Sequence, residues 1–229
     1  MNVSANLHEI QQKITSACEK SGRKPSDIKI IAVTKYVSIK RAQEALEAGV
    51  THLGENRDEG LLHKWAVLED KPIWHFIGTL QTRKVKNVID KVDYIHSLDR
   101  LSLAAEIDKR ATKPINCFVQ VNTSGEQSKH GLTPNEAIEF VKSLKEYPRV
   151  VVAGLMTMAP NTDDEIILRN CFRNLRKLKE AIIELNLDNA PCQELSMGMS
   201  NDYEIAVEEG ATIVRIGTAL VGNETEEVN

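Results

Sequence analysis

The chain has 229 residues, 29 of them basic and 33 acidic, for a formal charge of -4. Both signs are scattered along it, which argues against the one-sided basic surface of a nucleic-acid binder, and no run of about 18 apolar residues offers a membrane span. The first residues, Met1-Asn-Val-Ser-Ala-Asn6, lack the basic start and apolar run of a secretory signal, and Cys18, Cys117, Cys171 and Cys192 form no C-x-x-C pair. A cytoplasmic protein with reduced core thiols and no metal centre is therefore expected.

In chain order, Leu7, Ile10, Ile14 and Cys18 recur at helical spacing and predict a helix over 4–20, which is expected to close the bottom of the fold. Short apolar runs then follow at 28–34, 50–53, 73–77, 93–96, 115–121, 150–156, 193–197 and 212–216. Amphipathic stretches separate them, and that alternation predicts parallel strands joined by helical crossovers. Thr133-Pro-Asn-Glu136 and Thr162-Asp-Asp-Glu165 both fit a capping box and predict two helix starts. After the second box, Ile167, Cys171, Leu175, Leu178, Ile182 and Leu185 form an apolar stripe that must face a sheet. No linker, repeat or low-complexity segment interrupts the pattern.

Eight such steps could build an open doubly wound sheet or a closed (β/α)8 barrel. No G-x-G-x-x-G follows any strand, and the candidate site residues fall after strands 1, 2, 3, 7 and 8, which converge readily only if the sheet closes. An α/β fold is expected, a single TIM barrel over 1–229, close to the typical length of about 250 residues.

Two loops near the end carry the strongest chemical signal. Ser196-Met-Gly-Met-Ser200 and Arg215-Ile-Gly-Thr218 are rich in Gly, Ser and Thr, with a short helix predicted between them. Hydroxyls of Ser196, Ser200 and Thr218, with backbone N–H groups freed by Gly198 and Gly217, suit a phosphate group, and Arg215 adds a fixed positive charge. At the other end of the chain, Ile30-Ile-Ala-Val-Thr-Lys35 places a lysine just past the first strand, where partial desolvation would favour a neutral, nucleophilic amine. An isolated strand-end lysine more often reaches out to water, but a phosphate seat opposite shifts the balance. The pair points to pyridoxal 5′-phosphate (PLP) held on Lys35 as a Schiff base.

Asn56, in His52-Leu-Gly-Glu-Asn56, can hydrogen-bond a ring oxygen or cap a helix, with equal weight. His52 and His75 are expected at strand ends near the same mouth in supporting roles, and Met156 and Met158 as core filler or as flanks of a flat ring. If Arg215 faces a pyridine nitrogen, that nitrogen stays unprotonated, because a guanidinium can only donate. Such a ring is a weak electron sink.

The motifs Val33-Thr-Lys35, Gly54-Glu-Asn56, His75-Phe-Ile-Gly-Thr-Leu-Gln81, Val121-Asn-Thr-Ser124, Gly154-Leu-Met-Thr-Met-Ala-Pro160, Ser196-Met-Gly-Met-Ser200 and Val214-Arg-Ile-Gly217 occur together and in order. Over nearly its whole length the chain resembles the YggS/PROSC-type pyridoxal phosphate homeostasis proteins. The resemblance implies a fold-type III barrel similar to the N-terminal domain of bacterial alanine racemase. It implies Lys35 as the Schiff-base residue, Arg215 at the pyridine nitrogen, and Ser200, Gly217 and Thr218 at the phosphate. The family binds and supplies PLP and affects amino-acid and keto-acid balance, with no established turnover. Two segments depart from its pattern: Arg57-Asp-Glu-Gly60 stands where an aromatic residue and Val-Gln-Glu are common, and Thr82-Arg83-Lys84 where Asn-Lys is common.

Three functions are thus open, in this order: a PLP carrier, a weak PLP enzyme such as an amino-acid racemase, and a lysine aldolase without cofactor. A two-base racemase needs a second acid–base group opposite the lysine. Tyr36 is expected to point away from Lys35 along an extended strand, Tyr94, Tyr147 and Tyr203 fall outside the expected lining, and only an acidic tail follows Gly222. An aldolase needs carboxylates beside its lysine, and Glu55 alone is near. The expected catalytic set is therefore empty. The expected partners are PLP, amino acids captured as an external aldimine and apo-PLP enzymes, with the chain acting as a monomer.

Overall fold

Strand pairing runs β1 to β8 in sequence order and closes on itself in a computed structural model that describes residues 2–126 and 130–223. The strands are β1 (Lys29–Val33), β2 (His52–Glu55), β3 (Ile73–Phe76), β4 (Tyr94–Leu98), β5 (Ile115–Gln120), β6 (Val150–Met156), β7 (Glu194–Ser196) and β8 (Ile213–Ile216). All neighbouring pairs are parallel, and β1 meets β8 with Ile31 opposite Arg215. This is the expected (β/α)8 barrel. The second strand starts later than its apolar run of 50–53, because the Val50 N–H turns back to donate to Ala45 O at 3.0 Å and ends the preceding helix.

Helices α1 (Val3–Ser21), α2 (Ile39–Glu47), α3 (Asp58–Leu68), α4 (Val85–Val88), α5 (Leu101–Arg110), α6 (Pro134–Ser143), α7 (Glu165–Ile183), α8 (Tyr203–Glu208) and α9 (Thr218–Val221) surround the strands. The apolar faces of strands and helices merge into one continuous core that includes Leu53, Trp74, Ile95, Val119, Leu155, Phe172 and Leu195.

Two expectations about helices need correction. Helix α1 does not close the bottom of the barrel; it lies in the outer layer against α8, α9 and α2. Helix α8 has only six residues, and α1 completes the cover that it leaves short, with the Asn6 amide donating to Leu220 O at 2.9 Å and Arg23 donating to Val207 O at 2.7 Å. The capping box at Thr133 and Glu136 forms as expected. The one at Thr162 does not: Asp164 caps α7 by accepting from Ile166 N and Ile167 N, and the Thr162 hydroxyl accepts from Asp164 N at 3.2 Å. A carboxylate is the stronger acceptor for the first turn, so the helix starts two residues later.

Strand alternation sends every second side chain inside the barrel. Ile31, Phe118, Met156 and Ile213 form a small apolar cluster, with Tyr94 packed against it. Polar side chains take up much of the remaining space, an uncommon filling for a barrel interior usually packed with branched apolar residues.

Among the described glycines, Gly154 leaves the least room for a side chain: a Cβ there would lie 1.9 Å from Glu194 O. Gly154→Ala should therefore force β6 and β7 apart and lower unfolding free energy by about 1–3 kcal/mol, the usual cost of overpacking. Chemical denaturation measures this, and a variant as stable as the parent would mean that the β6–β7 contact is looser than described.

Candidate ligand site at the barrel mouth

At the C-terminal ends of the strands lies a cavity of about 460 Å³. Lys35, Asn56, Ser200, Arg215, Gly217 and Thr218, which sequence reasoning drew from four separate segments, all line it. Four of these positions belong to inward-facing series: Ile31 and Val33 lead to Lys35, Gly54 leads to Asn56, and Ile213 leads through Arg215 to Gly217. Met156, buried, and Met158, 39% exposed, also line the cavity.

Lys35 is exposed, so the expected desolvation is absent. β1 ends at Val33, and residues 34–37 turn, with Val37 N donating to Thr34 O at 3.2 Å. The turn also breaks strand alternation. Tyr36, expected to point away, instead lies beside the lysine, whose Nζ is 5.0 Å from the ring centre.

The residues flanking Lys35 and Asn56 explain how these two are held. Thr34 and Glu55 face outward, where the Thr34 hydroxyl donates to Glu55 Oε1 at 2.6 Å and Lys64 Nζ lies 3.1 Å from the same oxygen. Lys64 and Glu55 are 2% and 1% exposed, so this clip is buried between the barrel and α3. Glu55, the carboxylate expected near Lys35, is thereby committed to the clip. Gly78 completes the support, because any Cβ there would lie 2.2 Å from Asn56 O.

Arg215 is 5% exposed; its Nη1 donates to Ser196 Oγ at 2.6 Å and its Nη2 to Thr157 O at 3.0 Å. Burial pushes its guanidinium down to about 10, with Asp202 opposing the shift, so it remains a cation at neutral pH. Ser196, expected in the phosphate cradle, is fully buried beneath the mouth and bonded to Arg215, so it is not part of that cradle. The remaining hydroxyls do meet there. Ser200 Oγ accepts from Ala219 N at 3.5 Å, and α9 starts at Thr218 with Gly217 as an N-cap that makes no side-chain bond.

His52 and His75 do not end their strands or reach the mouth. His52 begins β2 and His75 lies within β3, and both point into the barrel interior with His96 of β4. His52 Nδ1 is 2.9 Å from His75 Nε2, His75 Nδ1 is 2.9 Å from His96 Nε2, and His96 Nδ1 is 3.0 Å from Ser196 Oγ. Sequence reasoning missed His96. The available signal was the recurrence of histidine after 23 and 21 residues in three successive strand runs.

The two segments that depart from the family pattern meet each other. Lys84 lies against Asp58 and 2.8 Å from Glu59, and Asn87 Nδ2 donates to Asp58 Oδ2 at 2.9 Å. Burial raises the Asp58 carboxyl, but these hydrogen bonds prevail and hold it at about 2. A depressed carboxyl stabilises the fold fully above its unfolded value near 3.9, and the contribution disappears as pH falls through about 2. Asp58→Asn should thus lower Tm at neutral pH, with the gap to the parent closing on acidification through that window. A gap independent of pH would show that the Asp58 charge is not what the pair contributes.

Comparison with known proteins agrees with this architecture. The family profile of the alanine racemase N-terminal domain matches residues 5–225. A pyridoxal phosphate homeostasis protein of Aquifex aeolicus is 43% identical over 227 residues, covering 97% of this chain and 98% of its own. PipY of Synechococcus elongatus PCC7942, solved with PLP bound, superposes with a TM-score of 0.84 at 29% identity, covering 96% of this chain and all of its own. An alanine racemase of Clostridium difficile 630 shares the fold at 17% identity and a TM-score of 0.76, covering 99% of this chain and 58% of its own. With a full-length profile match and relatives above one-third identity, the chain belongs to the pyridoxal phosphate homeostasis proteins of the alanine racemase N-terminal domain family.

Proposed function

We propose that this chain binds PLP at the barrel mouth, with Lys35 as the covalent residue, and serves in PLP supply rather than as an efficient enzyme. The observation that carries this reading is the convergence of Lys35, Asn56, Ser200, Arg215, Gly217 and Thr218 on one cavity. The donor set fits the cofactor. Ser200, Thr218 and the start of α9, where the Gly217 N-cap makes no side-chain bond, suit a phosphate, Asn56 an oxygen on the ring, and Arg215 an unprotonated ring nitrogen. Support also comes from the relatives, which carry the name of a PLP homeostasis protein or were solved with PLP bound.

When bound, the cofactor supplies an aldehyde for an amine to capture and a ring to withdraw electrons. The protein residues limit the chemistry open to it. Arg215 can only donate, so it keeps an acceptor nitrogen from gaining a proton and weakens the ring as an electron sink. Exposure of Lys35 leaves its amine open to water and to exchange with free amines. That suits a site from which a cofactor is handed on, and four buried cysteines outside any disulfide agree with a reducing compartment such as the cytoplasm. Among the described residues, Tyr36 is the tyrosine beside Lys35, and it lies against the lysine itself rather than lining the cavity. Asp202 is the carboxylate of the described lining, and no tyrosine is part of it, so the tyrosine that a two-base racemase would use is missing there, which disfavours racemisation.

Borohydride reduction of the PLP-loaded protein followed by peptide mapping should place the pyridoxyl label on Lys35, with Lys35→Ala unlabelled; label elsewhere would sink the assignment. In an assay against L- and D-amino acids, turnover should fall far below the common enzyme range of about 1–1000 per second. Robust turnover of any one amino acid would favour a PLP enzyme instead.

A further inference from the structure

The histidine column inside the barrel can run with either of two polarities, and the contact with Arg215 favours one of them. A guanidinium carries donors only, so the 2.6 Å contact makes Ser196 Oγ an acceptor and leaves the hydroxyl hydrogen to be given elsewhere. His96 Nδ1, 3.0 Å away, takes it if that nitrogen is bare. The His96 proton is then on Nε2 and faces His75 Nδ1 at 2.9 Å, and the His75 proton on Nε2 likewise faces His52 Nδ1 at 2.9 Å. With the opposite polarity, Ser196 would receive two donors and give its own hydrogen to neither neighbour. The column thus runs from a fixed cation under the mouth to His52 near the bottom of the barrel.

Its surroundings keep it neutral. His75 and His96 are fully buried, and burial pushes both well below the ordinary imidazole value, reinforced by His52 and Lys29 at His75 and by His75 and Arg215 at His96. Aromatic faces cover the rings: Tyr94 stacks on His75 at 4.5 Å and Phe118 on His96 at 4.3 Å between centres. His52 is also lowered, by burial and Lys29, while Asp93 and Glu194 pull the other way. Lys29 itself pairs with Glu194 across the first residues of β1 and β7.

We propose that His96 is a positioning residue for Arg215: through Ser196 it pins the guanidinium as a donor under the mouth cavity, and His75 and His52 lock the His96 tautomer that makes this possible. The column orients the guanidinium without adding a further charge: Asp202 is the carboxylate that acts on Arg215, and neutral imidazoles add nothing to that compensation. The relevance to PLP rests on the proposed function, whereas the tautomer lock needs no ligand.

The test has a ligand-free arm and a ligand arm. In long-range 15N NMR of the imidazoles, three of the six histidines should be neutral at about pH 8 with the proton on Nε2, and the two fully buried ones should not titrate from about pH 8 to 6. The Arg215 Nη hydrogens should be resolved and slow to exchange. His96→Phe, which keeps a stacked ring but removes the acceptor, should let the guanidinium rotate and collapse those signals; His96→Asn, whose Oδ1 can still accept from Ser196, should retain them. If His96→Phe does not fold, Ser196→Ala removes the same link. An Nδ1–H tautomer in the column, or Arg215 signals unchanged in His96→Phe or Ser196→Ala, would overturn the proposal. In the ligand arm, His96→Phe should bind PLP about tenfold more weakly and shift the pH midpoint of its visible spectrum, with His96→Asn restoring both. Unchanged affinity and midpoint would overturn the role of His96 at the site. Failure of the parent to take up PLP would overturn the proposed function alone, with the NMR arm still deciding the lock.

Discussion

Closure of the sheet between β1 and β8 is the constraint on which the site depends. Lys29 to Ala32 pair with Ile213 to Ile216, and this seam unites the first strand of the chain with its last. It brings the Lys35 turn beside the Gly217 loop, although about 180 residues separate them, and it sets Ile31 opposite Arg215. Once the seam is made, strand alternation does the rest: residues of one parity converge on the barrel axis, and those of the other pack into the helical layer. No individual loop has to fold precisely for the two halves of the site to meet.

The seam also explains why a polar interior is tolerable. A buried cation and three buried imidazoles would each be costly alone, since desolvation in a barrel interior penalises any polar group without a partner. Here each group has a partner on a different strand: Arg215 on β8 reaches Ser196 on β7, His96 on β4 reaches the same serine, and His75 and His52 continue to β3 and β2. The column therefore crosses the barrel, not one edge of it. Such a network also specifies register, because a slip of one residue in any of these strands would turn its polar side chain into the apolar layer.

Much of this was legible in the sequence, and the reasons differ by element. The eight strand runs were visible because buried parallel strands read as short apolar stretches, and the resemblance implied the same fold. β2 was misplaced because Gly54 and Glu55 do not look like strand residues; a glutamate buried against Lys64 is invisible until α3 is docked. Lys35, Asn56, Ser200, Arg215, Gly217 and Thr218 were found from motif chemistry, and the structure brings them around one cavity. Ser196 was misread since its motif gives composition but not height along the strand: its hydroxyl points into the interior, one layer below the mouth, where His96 and Arg215 meet it. The desolvation of Lys35 and the orientation of Tyr36 were both inferred from an extended strand that in fact ends at Val33. The bottom of the barrel and the cap of α7 depended on which acceptor or helix face won a local competition, and periodicity does not report that. The acidic tail lies outside the described residues.

A division of labour between neighbours in sequence ties these points together. Thr34 and Lys35 are adjacent, as are Glu55 and Asn56, and in each pair one residue belongs to the buried clip with Lys64 while the other lines the cavity. The clip is an ion pair removed from water, so it contributes little net stability; its value lies in geometry, because breaking it would leave an uncompensated charge in the core. Two strand ends are thereby fixed to one helix from the outside, while the inward residues carry no structural bond that a ligand would have to displace. Arg215 shows the same arrangement on the opposite wall, held from below by Ser196 and Thr157 and open toward the cavity. Lys35 and Asn56 are thus preorganised by contacts that lie outside the mouth, whereas the Ser200 and Thr218 hydroxyls make only long bonds of 3.5 and 3.4 Å within it, so a ligand can exchange without the barrel having to rearrange.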